Sequence, residues 1–320
     1  MKLIWPWQDR QRNFSWLKAI AFALVLAPAV RTAYLYYAGD YQSVPMGYNS
    51  LTYWSGVWAT VVLLAALAVT PAIRILRWSA LVDVRRMIGV TALVYTLIHM
   101  VFYFGMRSWN WPVIGPEMVT RWALLWGTIS TVGLIVLGAT SLDAAIERMG
   151  VKGWQRLHNT NYVISGLAIV HVFMARGTYA EQYLLTGAFV WLMAWRLLDR
   201  YRLGTDFKVL TALTLGSALF TALFEAGWYS GRRNFRMWDM ISAKFTWANW
   251  DEYVPLIYRD LTKTLQTNFD LAYWDIGVPP AWQVLFLGTL FVFAAVIGGF
   301  RRRAKAPAVA PSEARAAPGL

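Results

Sequence analysis

The chain has 320 residues, of which 58% are hydrophobic and only 15% charged, with 19 tryptophans, and this excludes an ordinary water-soluble globular domain. Its formal net charge is +13, but the basic residues alternate from loop to loop rather than collecting in one patch, which argues against a nucleic-acid partner. There is no cysteine, so iron–sulfur clusters, thiolate-ligated heme, disulfides and CxxC redox pairs are excluded.

In chain order, residues 1–15 read as a cytoplasmic N-terminus without an apolar core and small-residue cleavage site, which makes the first apolar run an uncleaved anchor. Runs long enough to cross a hydrocarbon core of ~30 Å follow at about 17–37, 54–73, 88–105, 120–140, 160–175, 182–198, 208–227 and 281–300. Eight transmembrane helices are therefore predicted. Lipid leaves only helices or closed barrels as spanning structures, and no alternating strand pattern is present. The fold class is all-α: a polytopic membrane helical bundle, with a six-helix core over 16–203 and two additional transmembrane helices over 204–300.

Basic residues precede the first run and lie between the second and third, fourth and fifth, and sixth and seventh, while "RRRAK" follows the eighth. The positive-inside rule then places these loops and both termini in the cytoplasm. The outside loop at about 228–280 is rich in tryptophan, tyrosine and charge and reads as an appended module. The Ala/Pro-rich tail at 301–320 is predicted to be disordered. No GxGxxG or GxxxxGK[ST] loop occurs, so the chain carries no recognisable nucleotide-binding domain.

The chain has only three histidines. His99 and His171 fall inside apolar runs, where an ionisable group is costly and indicates function. Arg86 precedes His99 by thirteen residues, and His158 precedes His171 by thirteen. At 1.5 Å per residue, His99 and His171 are both roughly 20 Å outward of a cytoplasmic-edge residue, hence level on neighbouring helices. Two level imidazoles are what a six-coordinate heme iron needs as axial ligands. His158 would lie roughly 20 Å below, where a second heme could continue an electron path.

Thirteen residues at about 100° each leave His158 and His171 about 140° out of phase on one ideal helix. Either His158 precedes the regular helix, or Gly166 permits a distortion, or the two serve different roles. An inner heme would need another ligand, such as Met87, or would stay five-coordinate; a helix-start residue without ligation is the equal alternative. Charge-assisted pairing with propionates would fall to Arg85, Arg86 and Arg156 at an inner heme and to Arg121 and Arg176 at an outer one. Positive-inside orientation already accounts for the inner three. No metal-ligand cluster, paired carboxylates or Ser/His/Asp set points to hydrolytic chemistry.

The blocks "LLAALAVTP" (63–71), "RRMIGVTALVYTLIH" (85–99), "TRWALLWGTIS" (120–130), "LGATS" (137–141) and "MGVKGWQRLHNTNYVISGLAIVH" (149–171) resemble the ferric-reductase-like transmembrane domain family. Within it they are similar to the MsrQ-type heme-binding membrane subunits of periplasmic protein-methionine-sulfoxide reductase systems. The resemblance implies a b-type cytochrome in the bacterial inner membrane that takes electrons from quinol or from the cytoplasmic side. It would deliver them to a periplasmic molybdopterin reductase subunit, so the chain would be an electron-transfer subunit rather than a complete enzyme. It carries heme ligation onto His99, His158 and His171, with one heme b or two; FMN has also been associated with the family.

Two departures stand out. The chain is about 120 residues longer than is usual for the family, and the family's Arg-Pro is Arg121-Trp122 here. Two other readings compete: a ferric or other metalloreductase or oxidase core fed by a separate flavin protein, and a non-redox transporter or scaffold with histidines in packing roles.

Overall fold

The computed structural model describes residues 5–8, 11–38, 48–176, 180–233 and 280–305. Of the outside loop expected at about 228–280, residues 234–279 lie outside the described residues, and 228–233 continue a helix; of the tail expected at 301–320, residues 301–305 continue a helix and the rest lie outside, as does the Arg176 side chain. The regular elements are α1 (Trp16–Ala38), α2 (Tyr48–Leu76), α3 (Val82–Met106), α4 (Trp111–Thr120), α5 (Trp122–Ala139), α6 (Asp143–His158), α7 (Asn161–Arg176), α8 (Ala180–Arg200), α9 (Phe207–Arg233) and α10 (Pro280–Lys305), with one 3-10 turn, Ser79–Leu81, leading into α3. Among the described residues every regular element is helical, and the chain is a multi-pass membrane protein.

Six helices among the described residues, not eight, are long and apolar enough to cross a membrane: α1, α2, α3, α5, α9 and α10. The two remaining expected spans form helices that fall short for different reasons. With 16 residues, α7 is about 24 Å long. In α8, Glu181, Gln182, Arg196, Asp199 and Arg200 dilute the apolar run.

Two short helices were not anticipated. Asn110 precedes α4, and Pro112 occupies its first turn, where a missing N–H costs nothing. Arg121, with extended φ/ψ, separates α4 from α5. Trp122 takes the first helical position of α5, where the family's proline would be accommodated, so the Arg-Trp departure leaves this helix start intact. The other short helix, α6, bends at Gly150, whose φ of 68° suits a residue without Cβ.

The bundle is built around α2, half of whose apolar stretch is buried. On one side Ala59, Val62 and Leu63 of α2 pack with Ala92 and Tyr95 of α3, Leu134 and Leu137 of α5 and Ile164 of α7. On the other, Leu64, Leu67 and Ile75 join Trp191, Leu192 and Trp195 of α8, Leu210 and Leu213 of α9 and Ala295 of α10. Lipid offers no hydrophobic drive between helices, so close van der Waals packing and interhelical hydrogen bonds must hold them. Ser130 Oγ donates to the Ile164 carbonyl at 3.1 Å, and Trp191 Nε1 donates to Thr214 Oγ1 at 3.0 Å.

Pro28 lies within α1 and interrupts its ladder. The Tyr95 hydroxyl, from α3, donates to the Val25 carbonyl at 2.8 Å and accepts the Ala29 N–H at 3.1 Å. One side chain thus bridges a donor and an acceptor that an unbroken helix would pair with each other.

Candidate functional site

His99 and His171 face one another across the space between α2, α3, α5 and α7, with ring centroids 6.3 Å apart and planes inclined by 75°. His99 Nδ1 lies 2.7 Å from the Thr52 carbonyl of α2, and His171 Nδ1 lies 2.6 Å from the Ala123 carbonyl of α5. A carbonyl only accepts, so each Nδ1 carries the proton and donates. Each Nε2 is left with a lone pair. This is the arrangement in which a metal-binding imidazole has its tautomer and ring orientation set by a backbone carbonyl.

The two rings occupy equivalent notches. Gly56 follows Thr52 by one turn, and a Cβ there would lie 2.9 Å from His99 Cε1; Gly127 follows Ala123 by one turn, and a Cβ there would lie 2.7 Å from His171 Nδ1. Residues i and i+4 share a helix face. Each notch therefore supplies a carbonyl to orient a ring and a missing side chain to admit it. Imidazole nitrogens bind first-row metals at about 2.0–2.1 Å, which places the centroids of two trans rings a little over ~6 Å apart. The observed separation, the proton positions and the notches fit a bis-imidazole iron of the kind a heme supplies.

A cavity of about 290 Å³ contains both rings and is lined mainly by apolar side chains and threonines. Its polar end is formed by Arg107, Arg121, Glu181 and Gln182. Glu117 accepts from Arg107 at 2.8 Å and from Arg121 at 3.2 Å through Oε1, and from the Tyr103 hydroxyl at 3.0 Å through Oε2. Burial alone would raise the Glu117 pKa, but the Tyr103 hydroxyl and the two guanidinium groups hold it below its ordinary value. The cluster is thus anionic at its centre and cationic at its edge. Arg121 was anticipated at this end; Arg107 was not, although its position one residue beyond α3 was a usable signal.

His158 is not on the same helix as His171. It closes α6, and Asn159 and Thr160 intervene before α7, so the phase conflict of a single helix does not arise. Its ring stacks on Trp154 at 4.1 Å, and its Nε2 is 3.3 Å from Thr140 Oγ1. Leu134, Leu137 and Ile164 belong to one buried cluster, with Ile88 and Leu157 packed against it. Arg86 bonds Asp143 at 2.9 Å and also the Ser141 carbonyl, while Arg85 and Arg156 are exposed. These three arginines lie outside the lining of the His99/His171 cavity. Among the described residues no group of three or more His, Asp or Glu could hold a bare metal ion.

Residues 55–169 match the family described as "Ferric reductase like transmembrane component". The chain is 31% identical over 202 residues to the "Protein-methionine-sulfoxide reductase heme-binding subunit MsrQ" of Azospira oryzae, covering 61% of this chain and 84% of that one. To the protein of the same name from Cronobacter sakazakii it is 33% identical over 192 residues, covering 58% and 92%. It is also 29% identical over 199 residues to the magnetosome protein MamZ of Paramagnetospirillum magneticum, covering 62% of this chain but 30% of that longer one. No solved structure matches. The matched stretch contains Gly56, His99, Gly127 and His158, and the MsrQ proteins are covered over most of their length: the chain belongs to the ferric reductase-like transmembrane family that includes the MsrQ proteins.

Proposed function

We propose that the protein is a b-type cytochrome subunit of the bacterial inner membrane, passing electrons from the quinone pool or the cytoplasmic side to a periplasmic molybdopterin reductase that repairs methionine sulfoxide. The single observation that carries this reading is the His99/His171 pair, with both Nδ1–H groups committed to backbone carbonyls and both Nε2 atoms available. When bound there, heme supplies a one-electron carrier. His99 and His171 would hold its iron, Gly56 and Gly127 would keep the rings seated, and Arg107 and Arg121, with Arg176, would meet its propionates.

One heme suffices for this reading, because the His99/His171 pair by itself supplies two imidazoles. His158 then serves chiefly as a half-buried junction between α5 and α6 through Thr140. With the basic loops inside, both termini are cytoplasmic and the Arg121 end faces the periplasm. The names of the MsrQ relatives support the partner reductase.

The test is repair. A strain lacking the gene is expected to accumulate methionine sulfoxide in periplasmic proteins after hypochlorite stress, with rescue by the wild-type chain but not by His99→Ala. Normal repair in the deletion strain would contradict the assigned acceptor. A second reading, direct reduction of ferric iron, is favoured by the description of the matched family. It predicts that the purified, pre-reduced protein is reoxidised by ferric citrate without any partner.

A further inference from the structure

A second cavity, of about 580 Å³, lies on the α1 side of the α2–α3 pair and, among the described residues, is lined by these three helices. None of the described lining side chains is charged, so the described wall offers a nucleotide, a phosphate or a metal ion no charge to pair with. Its wall combines flat aromatic faces (Tyr48, Trp58, Tyr95 and Phe102) with the hydroxyls of Thr32 and Ser55. Ala33 and Tyr37 of α1 line it and are also exposed, so it opens on the lipid-facing side.

One hydroxyl connects this cavity to the redox pair. Ser55 Oγ donates to the Leu51 carbonyl at 2.7 Å and lies 3.4 Å from His99 Nδ1, on the protonated side of that ring. Having donated its own proton within α2, Ser55 presents lone pairs to a donor arriving in the cavity. Thr32 Oγ1 is in the same state, donating to the Pro28 carbonyl at 2.8 Å. The wall therefore asks for a neutral, flat, lipid-soluble ring that carries hydroxyl donors.

The geometry points to this cavity as the entry site of a lipid-soluble quinol, held by its hydroxyl on Ser55 directly behind His99. The assignment rests on the proposed heme between His99 and His171. In the step it serves, one quinol gives up two electrons and two protons and leaves as quinone. A heme held by His99 and His171 would take the electrons one at a time, each passed to the outward acceptor before the next, and the two protons would be released to water. The site uses the late part of α1, the early part of α2 and the late part of α3, the same end of the bundle as His99. Electrons thus enter beside the pair, and no inner relay at His158 is needed.

The test uses the full-length, heme-loaded protein in detergent with a short-chain azido-quinone as photoreactive probe. Labelling is expected on peptides from 16–38, 48–76 or 82–106 and is suppressed by unlabelled quinol. Ala33→Trp, which fills the cavity, is expected to lower both labelling and the rate of heme reduction by quinol by roughly tenfold or more, about 1.4 kcal/mol in binding. Full reduction by dithionite is retained. Val94→Trp, on an exposed face outside the cavity, behaves as wild type. Ser55→Ala, which leaves the packing nearly unchanged, slows quinol-driven reduction in the same way and serves if the larger variant does not fold. Labelling confined to other helices, or wild-type labelling and reduction in the variants, would overturn the site and would be the result if an acyl chain were its only occupant. A wild-type protein without heme would instead overturn the reading beneath it, while labelling still reports on the cavity.

Discussion

Each imidazole of the central pair sits where a backbone carbonyl and a glycine one turn later coincide on a neighbouring helix, Thr52/Gly56 for His99 and Ala123/Gly127 for His171. Gly127→Leu must push the His171 ring away, because even its Cβ would lie 2.7 Å from Nδ1. The expected outcome is loss of heme retention with unchanged helicity by far-ultraviolet circular dichroism. At the other end, burial holds the His158 imidazole below its ordinary pKa, Arg85 adds to this, and the Thr140 backbone opposes it. The neutral ring is therefore the folded form. Its contribution is present above the ordinary histidine value and is lost as pH falls through that value towards the depressed one, because the unfolded chain then binds more protons. Arg85→Ala should move the His158 pKa upward in imidazole NMR; a downward move would contradict the assigned cause. The cost of an ionisable group in lipid made His99 and His171 legible from the sequence alone. The notches were not, since nothing in a single sequence says which helix faces each ring, and a glycine in an apolar run has many uses.

At the scale of elements, α1 and α3 are joined by a repair of the proline-broken ladder. Tyr95→Phe removes the hydroxyl that serves both Val25 and Ala29. A loss of about 1–3 kcal/mol is expected, the cost of leaving part-buried backbone groups in an apolar setting unsatisfied, read as a lower unfolding midpoint in detergent. An unchanged midpoint would mean that α1 re-forms its own bond. Long apolar runs located the six helices that are long and apolar enough to cross, because lipid demands them, but the same signal also counted the shorter α7 and the more polar α8 as spans. The short helices α4 and α6 escaped notice for the opposite reason: α4 is broken from α5 only by the extended backbone of Arg121, and α6 is a mixed-polarity segment bent at Gly150. The break at Asn159–Thr160 selects among the three readings of His158: it precedes the helix of His171, so the angular conflict does not arise.

For the whole molecule, α9 and α10 extend the bundle beyond residues 55–169, which match the family, and they share a buried cluster with α2, α7 and α8. Trp191 illustrates the dependence: its Nε1 donates to Thr214 of α9 and its ring stacks on Phe291 of α10 at 4.9 Å. A chain truncated after residue 206 is expected to lose at least ~3 kcal/mol, the scale of one large buried aromatic, and to aggregate in detergent size-exclusion chromatography. A monodisperse, heme-loaded truncation would show instead that the family core stands alone. The sequence disclosed these two helices by their apolarity but not their packing, which depends on long-range contacts with α8 and α2. The heme at the centre of this account is tested most directly by the dithionite-reduced minus oxidised spectrum of the purified protein beside its His99→Ala and His171→Ala variants. The account predicts low-spin b-type bands in the wild type and their loss in each variant. A wild type without such bands, or a variant that keeps them in full, would contradict it.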